Sequence, residues 1–175
     1  MESRGSNKVF YTVPFVWNRM LWVMTFAVFA LWLGVAGWQL YTIFTSEGAV
    51  VTLMSFLLFN GIMLATVLAC EGYAPQRLEI GEDKIVVLRR YNSVTIRRDE
   101  VKSVERLPDN AMRWAMRTGG VGGLFGYYGS YYSRTIGSFT LYATSFRNLY
   151  LIRKWDGKSV VISCSEPDKI AHFKA

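Results

Sequence analysis

Two uncharged runs decide how this chain is read: Met20–Ser46, MLWVMTFAVFALWLGVAGWQLYTIFTS, and Gly48–Cys70, GAVVTLMSFLLFNGIMLATVLAC. Each exceeds the ~18 apolar residues that mark a membrane-spanning candidate. At about 1.5 Å per residue, Leu21–Phe44 gives a helix of ~36 Å and Val50–Cys70 one of ~31 Å, against a hydrocarbon layer of ~30 Å. Trp17, Trp22, Trp38 and Tyr41 fall near the expected ends of the first helix. Amphipathic rings favour the headgroup layer there.

Only residues 45–48 connect the runs, so the two helices are expected to form an antiparallel hairpin. That connector holds no Lys or Arg, whereas Arg4, Lys8 and Arg19 precede the first run and Arg77, Lys84, Arg89 and Arg90 follow the second. The positive-inside rule then places both termini in the cytoplasm and makes the chain an integral, multi-pass cell-membrane protein. A cleaved signal peptide fits poorly. The run is longer than a 7–15-residue h-region and a second, stop-transfer-like run follows it. The expected organisation is a cytoplasmic segment 1–19, transmembrane helices 20–44 and 49–70 joined by an external loop 45–48, and a cytoplasmic domain 71–175.

Small residues recur on one stripe of each helix, Ala27, Ala30, Gly34 and Gly37 on the first and Gly61, Ala65 and Ala69 on the second. Such stripes let transmembrane helices approach closely, either within the hairpin or between protomers. Gln39 and Asn60 are the only amide side chains in the two runs and are expected to hydrogen-bond across the interface. The runs contain no ionisable residue of the kind that marks an ion or proton pathway. Cys70 reads as a small apolar residue ending a helix, with palmitoylation as the rival reading. Cys70 and Cys164 together make no disulfide framework, as befits a reducing cytoplasm.

After Cys70 the pattern changes to short apolar alternations punctuated by turn residues. Seven strands are predicted: Arg77–Ile80, Lys84–Arg90, Ser93–Arg98, Val101–Arg106, Gly137–Ala143, Asn148–Lys154 and Ser159–Ser163. Turn cues at Gly81–Asp83, Asn92 and Asp156–Gly157 separate them. A short helix is predicted from Pro167, capped by Ser165, with Ile170 and Phe173 on its apolar side. The connection Leu107–Ile136 is far longer than the usual 4–6 residues. Within it, Asn110–Arg117 is predicted to be a short helix with Trp114 packed inward.

The segment Arg117–Gly129, RTGGVGGLFGYYG, followed by GSFTLYAT at Gly137–Thr144 and NLYLI at Asn148–Ile152, resembles the bacterial PH-domain family of small membrane-anchored proteins. The resemblance extends over about Tyr73–Phe173. It implies a mainly β, PH-like barrel of seven strands closed by a C-terminal α-helix, here following a two-helix transmembrane hairpin. It implies no catalytic residues. Eukaryotic lipid-binding PH domains hold phosphoinositides with basic residues around the first hairpin loop, whereas that turn here reads Gly81, Glu82, Asp83, Lys84.

No catalytic constellation emerges. His172, the single histidine, reads as an exposed helix residue rather than a general base. The acids fall at turns and strand ends, and no metal-ligand spacing or cofactor motif is present. The glycines match neither the dinucleotide fingerprint nor a P-loop. Phe125, Tyr127, Tyr128, Tyr131 and Tyr132 crowd an uncharged stretch, which makes this loop a candidate lipid- or partner-contacting surface, with sealing of one barrel end as the structural alternative. The sequence carries 20 Lys and Arg against 13 Asp and Glu, a net charge of +7. Arg89, Arg90, Arg97 and Arg98, on adjacent strands, are a candidate basic cluster toward an anionic leaflet. No nucleic-acid-binding motif accompanies them. The function expected is a membrane-anchored, non-catalytic interaction module that binds lipid headgroups or a protein partner, with self-association through the helices open. The alternatives are a structural subunit of a larger membrane complex and, third, an enzyme with an unrecognised site.

Overall fold

The computed structural model describes residues 9–45, 49–171 and 173. His172, Arg4, Lys8 and the connector residues 46–48 lie outside the described residues.

A strand, β1 (Val9–Pro14), precedes two long helices, α1 (Arg19–Thr45) and α2 (Ala49–Tyr73). Both helices are long and apolar enough to cross a membrane, and only 11% and 6% of their most apolar stretches are buried. A core helix of a soluble protein would be covered; these present Phe26, Leu31, Trp38, Val51 and Leu58 outward. Where the helices meet, the partly covered residues recur at intervals of three and four: Phe29, Trp32, Val35 and Gln39 on α1, and Phe56, Asn60, Met63 and Val67 on α2. A polar knot ties them. The Trp32 indole N–H donates to Asn60 Oδ1 at 2.8 Å, and Asn60 Nδ2 donates to Gln39 Oε1 at 3.4 Å and to the Phe56 carbonyl at 2.8 Å. The two amides expected to meet across the hairpin do so.

Nine further strands follow: β2 (Pro75–Gly81), β3 (Lys84–Arg89), β4 (Ser93–Arg97), β5 (Val101–Arg106), β6 (Met116–Gly122), β7 (Tyr127–Ser133), β8 (Gly137–Ala143), β9 (Leu149–Lys154) and β10 (Ser159–Ser163), with α3 (Pro167–Ala171) at the end. They form an antiparallel sheet β1-β2-β3-β4 and a six-stranded sheet β5-β9-β10-β8-β7-β6, in which only β10 and β8 run parallel. The two sheets are not closed into one barrel by hydrogen bonds. The seven predicted strands are all present, within a residue or two at their ends.

The long connection is not a loop. Residues Pro108–Ala115 turn tightly, with N–H groups of Ala111, Arg113 and Ala115 donating to carbonyls three residues back, but no helix forms and Trp114 is 79% exposed. Met112 and Ala115 pack inward in its place. The glycine tract then forms the β6–β7 hairpin. Its strands touch because Gly120 and Gly129 are cross-strand partners with φ of 99° and 121°; a Cβ on Gly120 would sit 2.7 Å from the Gly129 Cα. Only glycine fits there. Ser165 does not cap α3: its hydroxyl donates to the Pro14 carbonyl at 3.0 Å and ties the end of the domain to β1.

Two cores result. Between the sheets lie Val13, Leu78, Ile80, Ile85, Val87 and Ile96 against Val104, Ile152 and Ile162, with Ile170 and Phe173 from the C-terminal end. On the other face of the six-stranded sheet, Leu149, Leu151 and Val161 pack with Tyr127, Tyr131, Phe139 and Leu141. Successive strand residues point to opposite faces, so Tyr150 and Ile152 serve the first core while Leu149 and Leu151 serve the second. The second core is completed from outside the domain by Leu21, in the first turn of α1 and fully buried.

Candidate functional site: the junction of domain and hairpin

The start of α1 is built into the domain. Asn18 is its cap: Oδ1 accepts the Leu21 N–H at 2.7 Å and its carbonyl accepts the Trp22 N–H at 3.2 Å. Asn18 itself is held by the turn after β8, because its N–H donates to the Thr144 carbonyl at 3.4 Å and the Thr144 hydroxyl donates to the Val16 carbonyl at 2.9 Å. One turn further on, Thr25 is buried against the tip of the β6–β7 hairpin. Its hydroxyl donates to the Gly123 carbonyl at 3.4 Å and accepts the Phe125 N–H at 3.5 Å. Phe125 has φ 58°, a left-handed conformation that is costly for a bulky residue. Its ring is held edge-on to Trp17 and Phe29, with centroids 5.9 Å and 6.3 Å away.

The end of α2 is finished by the domain as well. A helix leaves its last four carbonyls without intrahelical partners. Here the Tyr128 hydroxyl donates to the Cys70 carbonyl at 2.5 Å, the Ala74 N–H to Glu71 at 3.2 Å and the Tyr91 N–H to Gly72 at 3.0 Å. The Tyr91 ring rests on Gly72 so closely that a Cβ there would overlap it. Arg90 pairs with Glu71 at 2.7 Å. The Arg89 guanidinium lies over the rings of Tyr73 and Tyr142, 5.8 Å and 5.4 Å from their centroids, while its buried Nε has no hydrogen-bond partner. Cation–π attraction offsets part of that loss.

These contacts change the reading of the aromatic tract. Tyr127, Tyr128 and Tyr131 are buried, Phe125 is partly covered by α1, and Tyr132 alone is well exposed, at 45%. The tract is therefore a seam between the domain and its own hairpin, not a free loop. Apolar rings take the nearest apolar surface, and the root of α1 supplies it. Burial pushes the phenols of Tyr127, Tyr128 and Tyr131 above their ordinary value.

The four arginines do not form one cluster. The pairing Leu88↔Ser93 and Lys84↔Arg97 sends Arg89 and Arg90 to the end of the hairpin that meets α2, and Arg97 and Arg98 to the opposite end, about 13 Å along the strands. At that far end Arg98 donates to the Glu82 carbonyl at 3.2 Å and lies over Phe173. The small-residue stripes also fall elsewhere than between α1 and α2. Ala27, Ala30, Gly34, Gly37, Gly61, Ala65 and Ala69 are all exposed, and a Cβ on Gly34, Gly37 or Gly61 would meet nothing within 4 Å. Large side chains and the amide knot occupy the helix contact instead.

Beside Asn18 lies an open cleft of about 1130 Å³, between the chain entering α1 and the turn after β8. Arg19, Arg147 and Asp109 line it, with Ser145, Asn148 and Ser165. Sequence reasoning missed this place, because Arg19 and Arg147 are far apart in the chain and neither belongs to a charge run. Among the described residues no group of His, Cys, Asp and Glu is arranged to hold a metal ion. The cleft holds cations, hydroxyls and amides, a set suited to binding an anion.

No curated protein and no solved structure matches the chain. The family model described as bacterial PH domain matches residues 76–174, from the first residues of β2 through the C-terminal end. That span exceeds half of the chain and contains both sheets apart from β1. The chain therefore belongs to the bacterial PH-domain family.

Proposed function

We infer that this protein is a membrane-anchored, non-catalytic interaction module, with its hairpin in the bilayer, both termini in the cytoplasm and its PH-like domain held against the inner leaflet to meet lipid headgroups. The observation that carries the reading is the finish of the hairpin ends: the domain caps α1 through Asn18 and closes α2 through Tyr128 and Tyr91. A flexible tether would leave the domain free to face anywhere. This junction gives it one orientation, with Arg19, Arg89 and Arg90 on the bilayer side. A basic residue unpaired among the described residues, such as Arg19, contributes about 1 kcal/mol near an anionic surface, whereas Arg90 already pairs with Glu71.

The test is topology and extraction. Cys164 is buried and is a poor reporter, so Lys158, whose side chain is 80% exposed, is replaced by Cys in a chain lacking both native cysteines. Lys158→Cys should react with an impermeant maleimide only after permeabilisation, and Glu47→Cys in intact cells. Release of the chain by alkaline carbonate, or the reverse labelling, rejects the reading.

A second reading, a subunit of a larger membrane complex, is favoured by one observation: the small-residue stripes face away from the partner helix. Cysteine cross-linking from Gly34 and Gly61 in native membranes would reveal a neighbouring helix.

A further inference from the structure

We propose that the cleft beside Asn18 is a site for the headgroup of an anionic phospholipid with a singly charged phosphodiester. It rests on the membrane-anchored reading above and adds a place and a ligand class to it.

Depth comes first. Arg19 is the last charged residue before the uncharged run of α1 and stands between Trp17 and Trp22, rings that favour the headgroup layer. The headgroup zone is ~5–8 Å deep on each side. The cleft that Arg19 lines therefore falls in that zone, with Met20 also in its wall.

Charge comes second. Arg19 and Arg147 are both exposed, and neither guanidinium has a hydrogen-bonded or ion-paired partner among the described residues. Asp109 is the carboxylate among the lining residues, so two cations and one anion leave a single positive charge. That balance fits one phosphodiester. A polyphosphorylated headgroup would leave its extra charge unmatched. Ser145 and Asn148 offer hydroxyl and amide groups to a polyol such as glycerol, and the single net positive charge favours a net anionic headgroup over a zwitterionic one.

The experiment uses the full chain in neutral detergent, titrated with short-chain phosphatidylglycerol, phosphatidylcholine or soluble glycerol 3-phosphate. Phosphatidylglycerol should bind in preference to phosphatidylcholine, and Arg19→Gln and Arg147→Gln should each weaken it about fivefold. Arg97→Gln, at the far end of β4, should leave it unchanged. Ser145→Trp keeps both cations and crowds the cleft between them; it should weaken the preference while thermal unfolding stays within a few degrees of the parent. Equal weakening by Arg97→Gln, or binding that survives the double arginine variant, overturns the site. Glycerol 3-phosphate binding as tightly as the lipid overturns the lipid source. Either failure leaves the anchored-module reading standing, since that reading fails only by extraction or reversed topology.

Discussion

The Tyr128 hydroxyl closes the Cys70 carbonyl, joining a strand of the domain to the last turn of a helix 58 residues earlier in the chain. The contact lies in the last turn of the second helix, where a carbonyl has no intrahelical partner. Tyr128→Phe keeps the ring and removes the donor, leaving a shielded carbonyl unsatisfied. The loss should be ~1–3 kcal/mol. Thermal unfolding of the full chain in detergent measures it, and an unchanged midpoint would mean that water replaces the hydroxyl.

The glycine tract makes a sharper claim. Gly120→Ala puts a methyl group against the Tyr128 carbonyl and the Gly129 Cα while forcing alanine into a positive φ. The β6–β7 hairpin should lose more than about 2 kcal/mol. Gly119→Ala, one residue away with nothing within 4 Å of its Cβ, should stay within ~0.5 kcal/mol of the parent. Equal effects would show that glycine is there for loop flexibility, not for the close approach of two strands.

Alkaline pH should find the same seam. Tyr127, Tyr128, Tyr131 and Tyr150 all have phenols raised by burial, so the folded chain keeps protons that the unfolded chain gives up. Their contribution is complete below the unfolded phenol value of about 10 and is lost as pH rises toward the folded values. The melting temperature should be level from pH 7 to 9 and fall above ~10. In Tyr128→Phe the decline should be shallower. Tyrosinate absorbance during the titration separates this cause from lysine deprotonation.

Between the two helices, Asn60→Leu removes the amide that joins Trp32 and Gln39. Interhelical hydrogen bonds of this kind average ~0.6 kcal/mol. A double-mutant cycle of Asn60→Leu with Gln39→Leu should return a coupling of that order, and zero coupling would assign the hairpin's stability to packing alone.

Read from the sequence, residues 71–175 are a domain that folds by itself. With β1 and α1 in view, a chain starting at Tyr73 should instead expose part of both cores and melt broadly, because it lacks Val13 of the first and Leu21 of the second, each worth ~1.5–3 kcal/mol when buried. Near-UV circular dichroism and dye binding decide. A sharp transition would show that both residues are dispensable.

What was legible follows from how each element announces itself. Seven strands alternate or run apolar between turn residues and are read to within a residue or two. The strands β6 and β7 are hidden because glycine is depleted in strands and marks turns, and the cross-strand meeting of Gly120 and Gly129 is visible only once the pairing is known. β1 is six residues long and stands before an apolar run that draws the reading away from it. The arginine cluster failed on direction: strand neighbours in sequence become opposite ends of a hairpin. The continuous runs in β9 and β10 did carry a signal of two buried faces, since a strand with one wet face would alternate. What covers the second face was not legible, because α1 is apolar all round and nothing in its pattern singles out Leu21.

Leu21 also sets an order of events. It leaves the ribosome well over a hundred residues before Leu141, Leu151 and Val161, the side chains that enclose it. At about 5–20 residues per second the interval before Val161 is made is roughly 7–28 s. In the membrane-anchored reading the hairpin enters the bilayer during that time, before the seat for its first turn exists. On that reading the domain assembles around a helix whose depth and tilt are already set by lipid, and the bilayer acts as the jig on which the second core is built.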